Sequence, residues 1–219
     1  MTQIEMDLRL KLPFTMLVSG PTSCGKTTFV SKILENRYEI YNKSPGKVYW
    51  FYKVNQPMFQ DMMEKGIVHE FIQGMCTMEW LESHVSTTPN CTVVIDDMAL
   101  EVDDDTAKIF SVGSHHFNVN VILLCQNLFT KNKSFRDISL NSTYHAIFKN
   151  PRDKSSIAHF AKQFAPGKSQ AVVNIFEDAT QRPHSYLLMD YHQETDNANR
   201  IISNYLLEDN LPIHIHRLT

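Results

Sequence analysis

No run of apolar residues in this chain approaches the roughly 20 that a membrane-spanning helix needs, so no membrane partner is expected. The N-terminus also lacks the apolar core of a secretory signal, because Glu5, Asp7, Arg9 and Lys11 interrupt it. Cysteine is scarce: Cys24, Cys76, Cys91 and Cys125 are scattered without a C-x-x-C pair. That spacing points to free thiols in a reducing intracellular compartment and away from disulfides or a zinc site. The histidines offer His115-His116 and His214-x-His216, but neither lies among carboxylates, and both pairs read as surface or core histidines. There is no internal repeat, low-complexity tract or linker. The expectation is one domain over residues 1–219, with an N-terminal strand in 1–13 and an acidic tail in 193–219.

The most informative feature present is Gly20-Pro21-Thr22-Ser23-Cys24-Gly25-Lys26-Thr27, the G-x-x-x-x-G-K-[ST] phosphate-binding loop known as Walker A. Its context fits. Phe14 to Ser19 is an apolar run that reads as a buried strand, and Phe29, Val30, Ile33 and Leu34 recur at helical spacing after it. Within the nucleotide-binding stretch Gly20 to Thr28, the glycines let the loop's backbone N–H groups curl around a β-phosphate, helped by the partial positive charge of the helix N-terminus. Lys26 reaches the β- and γ-phosphates, and the Thr27 hydroxyl suits Mg²⁺. ATP and Mg²⁺ are the expected cofactors.

Further along, Ile4, Met6, Leu8, Leu10 and Leu12 alternate with polar residues as in a half-buried strand. Core strands are expected at Phe14–Ser19, Lys47–Tyr52, Cys91–Ile95, Val119–Cys125 and Tyr144–Phe148, with a short one at Val68–Ile72 and a late one at Ser185–Met189. Helices are expected at Gln56–Lys65, Met78–Val85, Asp104–Phe117, Asp153–Phe164 and Ser169–Ala179. Strands alternating with helices imply an α/β fold, a mainly parallel sheet covered on both faces.

Cys91 to Ile95 runs into Asp96-Asp97, the Walker B pattern of a buried strand ending in an acid. Burial fixes the carboxylate at the strand's C-terminal edge, where Asp96 can hold the Mg²⁺ water shell. One core strand separates this acid from the phosphate loop in the chain. That order matches the three-layer P-loop NTPases with an additional catalytic acid, whose core strands stand in the order 5-1-4-3-2, here with additional edge strands. Asp97 occupies the position of that acid. Because Asp is one methylene shorter than the usual Glu, Glu101 stays open as an alternative. The fourth core strand ends in Gln126, placed to sense the γ-phosphate.

The net charge of −3 is uneven. Between Gln126 and Gln170, eight basic residues stand against Asp137 and Asp153, a net of +6 that leaves −9 on the remainder. Such a stretch is either a solvated helix face or a surface turned to phosphates.

Together G-P-T-S-C-G-K-T-T, V-V-I-D-D-M, L-L-C-Q-N-L-F, Lys149-Asn150-Pro151-Arg152-Asp153 and Tyr186-Leu187-Leu188-Met189-Asp190 resemble a family. It is that of the genome-packaging ATPases of the HerA–FtsK superfamily, found in Polinton (Maverick)-type elements and related double-stranded DNA viruses. The resemblance implies a pentameric or hexameric homo-oligomeric ring that couples ATP hydrolysis to pushing double-stranded DNA into a preformed capsid. It also implies a capsid portal or vertex protein as partner, and a place in the host nucleus, a cytoplasmic viral factory or the virion. Asp97 matches the Asp-Asp form of this viral branch. Arg136 precedes the fifth strand, where ring ATPases often carry an arginine for the neighbouring subunit's ATP; Arg152 is its rival. With no room for a separate DNA-binding domain, Lys131 and Lys133 after the sensor strand are the candidates for meeting DNA phosphates. A small-molecule kinase is the alternative enzyme, although no arginine-rich lid is evident. A weakly hydrolysing assembly switch is the third reading, sustained by the Asp at position 97.

Overall fold

The computed structural model describes residues 7–85, 88–98, 101–206 and 211–218. One nine-stranded sheet runs through it. The phosphate-loop strand β1 (Thr15–Ser19) leads into α1 (Lys26–Glu35), then a short α2 (Arg37–Ile40), β2 (Val48–Tyr52) and α3 (Met58–Glu64). There follow β3 (Glu70–Gln73), α4 (Met78–His84), β4 (Thr92–Asp96) and α5 (Asp104–Lys108). A π-helical turn, Ile109–Gly113, joins α5 to α6 (Ser114–His116) before β5 (Asn120–Cys125). The second half holds α7 (Lys133–Asn141), β6 (Tyr144–Phe148), α8 (Lys154–Phe164), α9 (Ser169–Ala179) and three strands, β7 (Tyr186–Asp190), β8 (Ile201–Ser203) and β9 (His214–His216).

The strands stand in the order β3-β2-β4-β5-β1-β6-β7-β8-β9. The first six of these are parallel, and β7, β8 and β9 are added antiparallel. The five expected core strands therefore keep the 5-1-4-3-2 order, read from the opposite edge, with β3 outside one end and β7 to β9 outside the other.

Strands buried on both faces explain the apolar runs, since alternate side chains feed two different cores. Met16 and Val18 join Trp50, Val94, Ile122 and Leu124 under Phe29, Val30, Ile33 and Leu34 of α1. On the other face Leu17, Phe51, Val93, Ile95 and Leu123 pack with Leu81, Phe110, Phe135 and Ile138 from α4, the π turn and α7. A third cluster sets Phe160 of α8 and Phe176 of α9 against Ile147, Leu187 and Met189. The result is three layers. Among the described residues no helix is long and apolar enough to cross a membrane.

Two expectations at the chain ends need correction. Residues 1–6 lie outside the described residues, and 7–13 form no strand. Leu10 makes one isolated bridge to Tyr41, accepting from Asn42 N and donating to Ile40 O. Leu10 and Leu12 are buried all the same, so the alternation marks core contact made by extended chain against the loop after α2, not by a sheet ladder. The segment from 193 onward is not merely an acidic tail. Ile201 and Ile202 are buried in β8, and β9 pairs with β8 to extend the sheet.

Candidate functional site

Because β1, β4 and β5 are parallel neighbours, their C-terminal ends open onto one edge, the position at which open α/β sheets bind ligands. Register sets Ser19 beside Cys125 and Asp96 beside Leu124, so the phosphate loop, the two aspartates and Gln126 converge. They line one cleft of about 660 Å³ with Thr22, Ser23, Gly25, Thr27, Thr28, Gln56, Pro183 and His184 among its walls.

The loop takes its shape from left-handed residues: Ser23 has φ 63° and Gly25 φ 107°. Gly20 N donates to Cys125 O at 3.1 Å, tying the loop to β5, and a Cβ on Gly20 would lie 2.6 Å from Phe148 Cβ. Gly25 O accepts from Phe29 N at 2.9 Å as α1 begins. Lys26 Nζ donates to Gly20 O at 2.7 Å and Pro21 O at 3.0 Å, so its ammonium lies across the loop mouth. Pro21, Thr22 and Cys24 complete the loop, and Thr27 and Thr28 stand in the first turn of α1, Thr22 and Thr28 being exposed.

Asp96 is buried, 4% exposed, and burial pushes its carboxyl up to about 6, partly offset by hydrogen bonding and by Lys26. Gln56 Nε2 donates to its Oδ2 at 3.0 Å. Asp97 is exposed, has φ 57°, and accepts from Gln126 Nε2 at 3.0 Å. Glu101 lies elsewhere: its carboxylate pairs with Lys53, and it does not line the cleft. Of the two candidate acids, Asp97 is the one facing the phosphate loop.

Arg136, on α7, faces a separate groove between α7 and α8 with Phe129, His159 and Lys162, not its own chain's phosphate loop. Arg152 is exposed in the turn after β6. Lys131 and Lys133 are exposed just beyond the end of β5, as are the other basic residues of that segment. Gln56, Pro183, His184 and Tyr186 also line the cleft, and none of them was read from the sequence as a site residue. For Pro183 the only signal is a turn-forming residue ahead of a strand.

Solved structures of other proteins share this architecture, among them two that align over most of both chains. One is the genome packaging NTPase B204 from Sulfolobus turreted icosahedral virus 2, in complex with ATP-gammaS; it aligns over 94% of this chain and 98% of its own, at TM-score 0.54 and 12% identity. The fold is that of a P-loop NTPase. The other structure, flagellar accessory protein FlaH from Methanocaldococcus jannaschii, matches over 88% of this chain and 84% of its own, at TM-score 0.51 and 10% identity. No protein-family model and no curated protein matches the sequence.

Proposed function

We propose that this chain is an ATPase that drives double-stranded DNA into a preformed viral capsid, working as a homo-oligomeric ring of five or six subunits. The observation that carries the reading is the convergence of Lys26, Asp96, Asp97 and Gln126 on a single cleft. A phosphate loop alone would bind a nucleotide. A second acid bonded to a sensor glutamine adds the means to hydrolyse it.

In this reading backbone N–H groups of residues 22–28 and the Lys26 ammonium hold the triphosphate, with Gly20 and Pro21 shaping the loop. The donor set fits Mg²⁺, a hard cation that takes one or two protein oxygens plus phosphates and water: a buried carboxylate, Asp96, and a hydroxyl, Thr27, line the same cleft. Mg²⁺ supplies neutralisation of charge on the β- and γ-phosphates. Asp97 accepts a proton from the attacking water, and Gln126, bonded to it, orients that water and registers loss of the γ-phosphate. Arg136 faces away from its own cleft, as an arginine supplied to a neighbour's ATP would, with Arg152 as the alternative.

Exposed Lys131 and Lys133 stand one loop beyond Gln126, close enough in the chain for hydrolysis to move them against DNA phosphates. The ring would meet a portal or vertex protein of the capsid, inside the host nucleus or a cytoplasmic viral factory, and could remain with virions. The test is ATP turnover by the intact chain with and without duplex DNA, across a salt series. DNA-stimulated turnover that fades with salt is expected. Indifference to DNA, with phosphoryl transfer to a small acceptor, would favour a kinase.

A further inference from the structure

The cleft extends past the groups that a triphosphate and its metal require. One end is formed by Gln56, Asp96, Asp97 and Gln126, on the β4–β5 side of the phosphate loop. The other is walled by Pro183, His184 and Tyr186, on the β6–β7 side. A nucleotide whose γ-phosphate faces Asp97 and Gln126 and whose β-phosphate lies in the loop must carry its nucleoside toward that second end.

The wall there is a tight turn. Ser185 N and Oγ both donate to Arg182 O, at 3.3 Å and 2.6 Å, with Pro183 and His184 between them. His184 has φ 64°, where glycine or asparagine is the usual residue of such a turn. A side chain kept in that conformation is one the surroundings over-determine, which occurs preferentially at ligand clamps. Here the surroundings are the phosphate loop itself. His184 Nδ1 lies 3.2 Å from Cys24 O, and a Cβ on Gly25 would come within 3.3 Å of His184 Cβ.

A carbonyl oxygen only accepts, so Nδ1 carries the proton of that bond, and Nε2 of the neutral ring is an acceptor. Tyr186 anchors the turn from below: its ring lies 4.4 Å from Phe29 and 5.5 Å from Phe148, and its hydroxyl accepts from Leu206 N. Of the cleft-lining residues here, Pro183 and His184 are exposed, as is Arg182 at the start of the turn, while Tyr186 is buried.

We propose that the Arg182–Ser185 turn is the nucleoside subsite, in which His184 Nε2 accepts a hydrogen bond from a ribose hydroxyl and Pro183 gives its ring face to the base. This rests on the reading of the cleft as an ATP site. The turn comes from the strand added beyond the parallel core, so sugar recognition is supplied by β7 while the phosphate and metal groups come from β1, β4 and β5.

The experiment is calorimetric titration of the intact chain and two variants with ATP, 2′-deoxy-ATP, 3′-deoxy-ATP and inorganic triphosphate. His184→Gly and His184→Asn both tolerate the left-handed backbone, and neither side chain extends as far as the imidazole. The wild type should bind ATP about tenfold more tightly than one of the deoxy analogues, the worth of one hydrogen bond. Both variants should lose that preference and bind ATP about tenfold more weakly, with triphosphate affinity unchanged. Wild-type affinity for ATP in the variants, or equal weakening toward ATP and triphosphate, would overturn the subsite. A wild type that binds triphosphate and all three nucleotides alike would also overturn it, leaving the phosphate site intact. A wild type that binds none of the four ligands would remove the ATP reading and the subsite together.

Discussion

Gln126 donates its side-chain amide to Asp97 Oδ1 at 3.0 Å, joining the end of β5 to the end of β4 across the mouth of the cleft. Asp97 sits at φ 57°, a conformation that asparagine tolerates well. Asp97→Asn should therefore keep both the backbone and an oxygen for Gln126 while losing the base. Nucleotide binding should persist and turnover should fall by roughly 10²–10⁴-fold, the usual worth of a general base, as read by single-turnover hydrolysis. Wild-type turnover in this variant would pass the role to Glu101 despite its pairing with Lys53.

Lys26→Ala removes an ammonium that spans Gly20 O and Pro21 O and deletes no core volume. The expected result is an unchanged melting curve without ligand and loss of the nucleotide-induced rise in Tm. A variant that still gains stability from ATP would refute the role given to Lys26.

Asp96 couples the site to stability. Its carboxyl is held at about 6 in the fold against 3.8 unperturbed, chiefly by burial. A folded-state value above the unfolded one means stability is full below about pH 4 and is lost as pH rises toward and through 6. At about 1.4 kcal/mol per pKa unit, the ionised group costs on the order of 3 kcal/mol at neutral pH. Without nucleotide, Asp96→Asn should melt several degrees above the wild type at pH 7.5, and the gap should close below pH 4. Its Mg²⁺-dependent turnover should fall at the same time. Equal melting temperatures across that range would show that burial does not penalise the carboxylate.

Among the free thiols, Cys76, Cys91 and Cys125 are buried and Cys24 is half-buried within the loop. Burial raises the Cys24 pKa, against a smaller lowering by Lys26. A bulky thiol reagent should therefore add once per folded chain, slowly at pH 7 and faster as pH rises, with ATP protecting. Mass spectrometry of the labelled peptide checks the position; equal rates with and without ATP would contradict it.

Arg136→Ala tests the ring. An arginine acting across a subunit boundary is worth about 10³–10⁵ in rate elsewhere, so this variant should bind ATP yet hardly turn over. Mixed with Asp97→Asn, it should recover part of the hydrolysis, because some interfaces then combine an intact Arg136 with an intact Asp97. Full activity of Arg136→Ala alone would transfer the role to Arg152.

Sequence alone determined the parts whose physics is local. A glycine loop between an apolar strand and a helix, a buried strand ending in acid, and Gln126 at the end of another are each readable from a few consecutive residues. Parallel strands then bring those ends to one edge. Other features follow from contacts between distant segments. His184 reaches Cys24 across 160 positions, and Gln56 meets Asp96 across 40, with no periodicity to announce either. Along α3, Met62 is buried, Met58 lines the cleft and Met63 is 51% exposed, a division that residue type alone does not reveal. Strands of three residues, such as β8 and β9, are too short to carry a period and exist because β7 offers an edge to β8, and β8 in turn offers one to β9. Residue types and spacing fixed the phosphate chemistry. Only the antiparallel return of the chain decided what stands beside it.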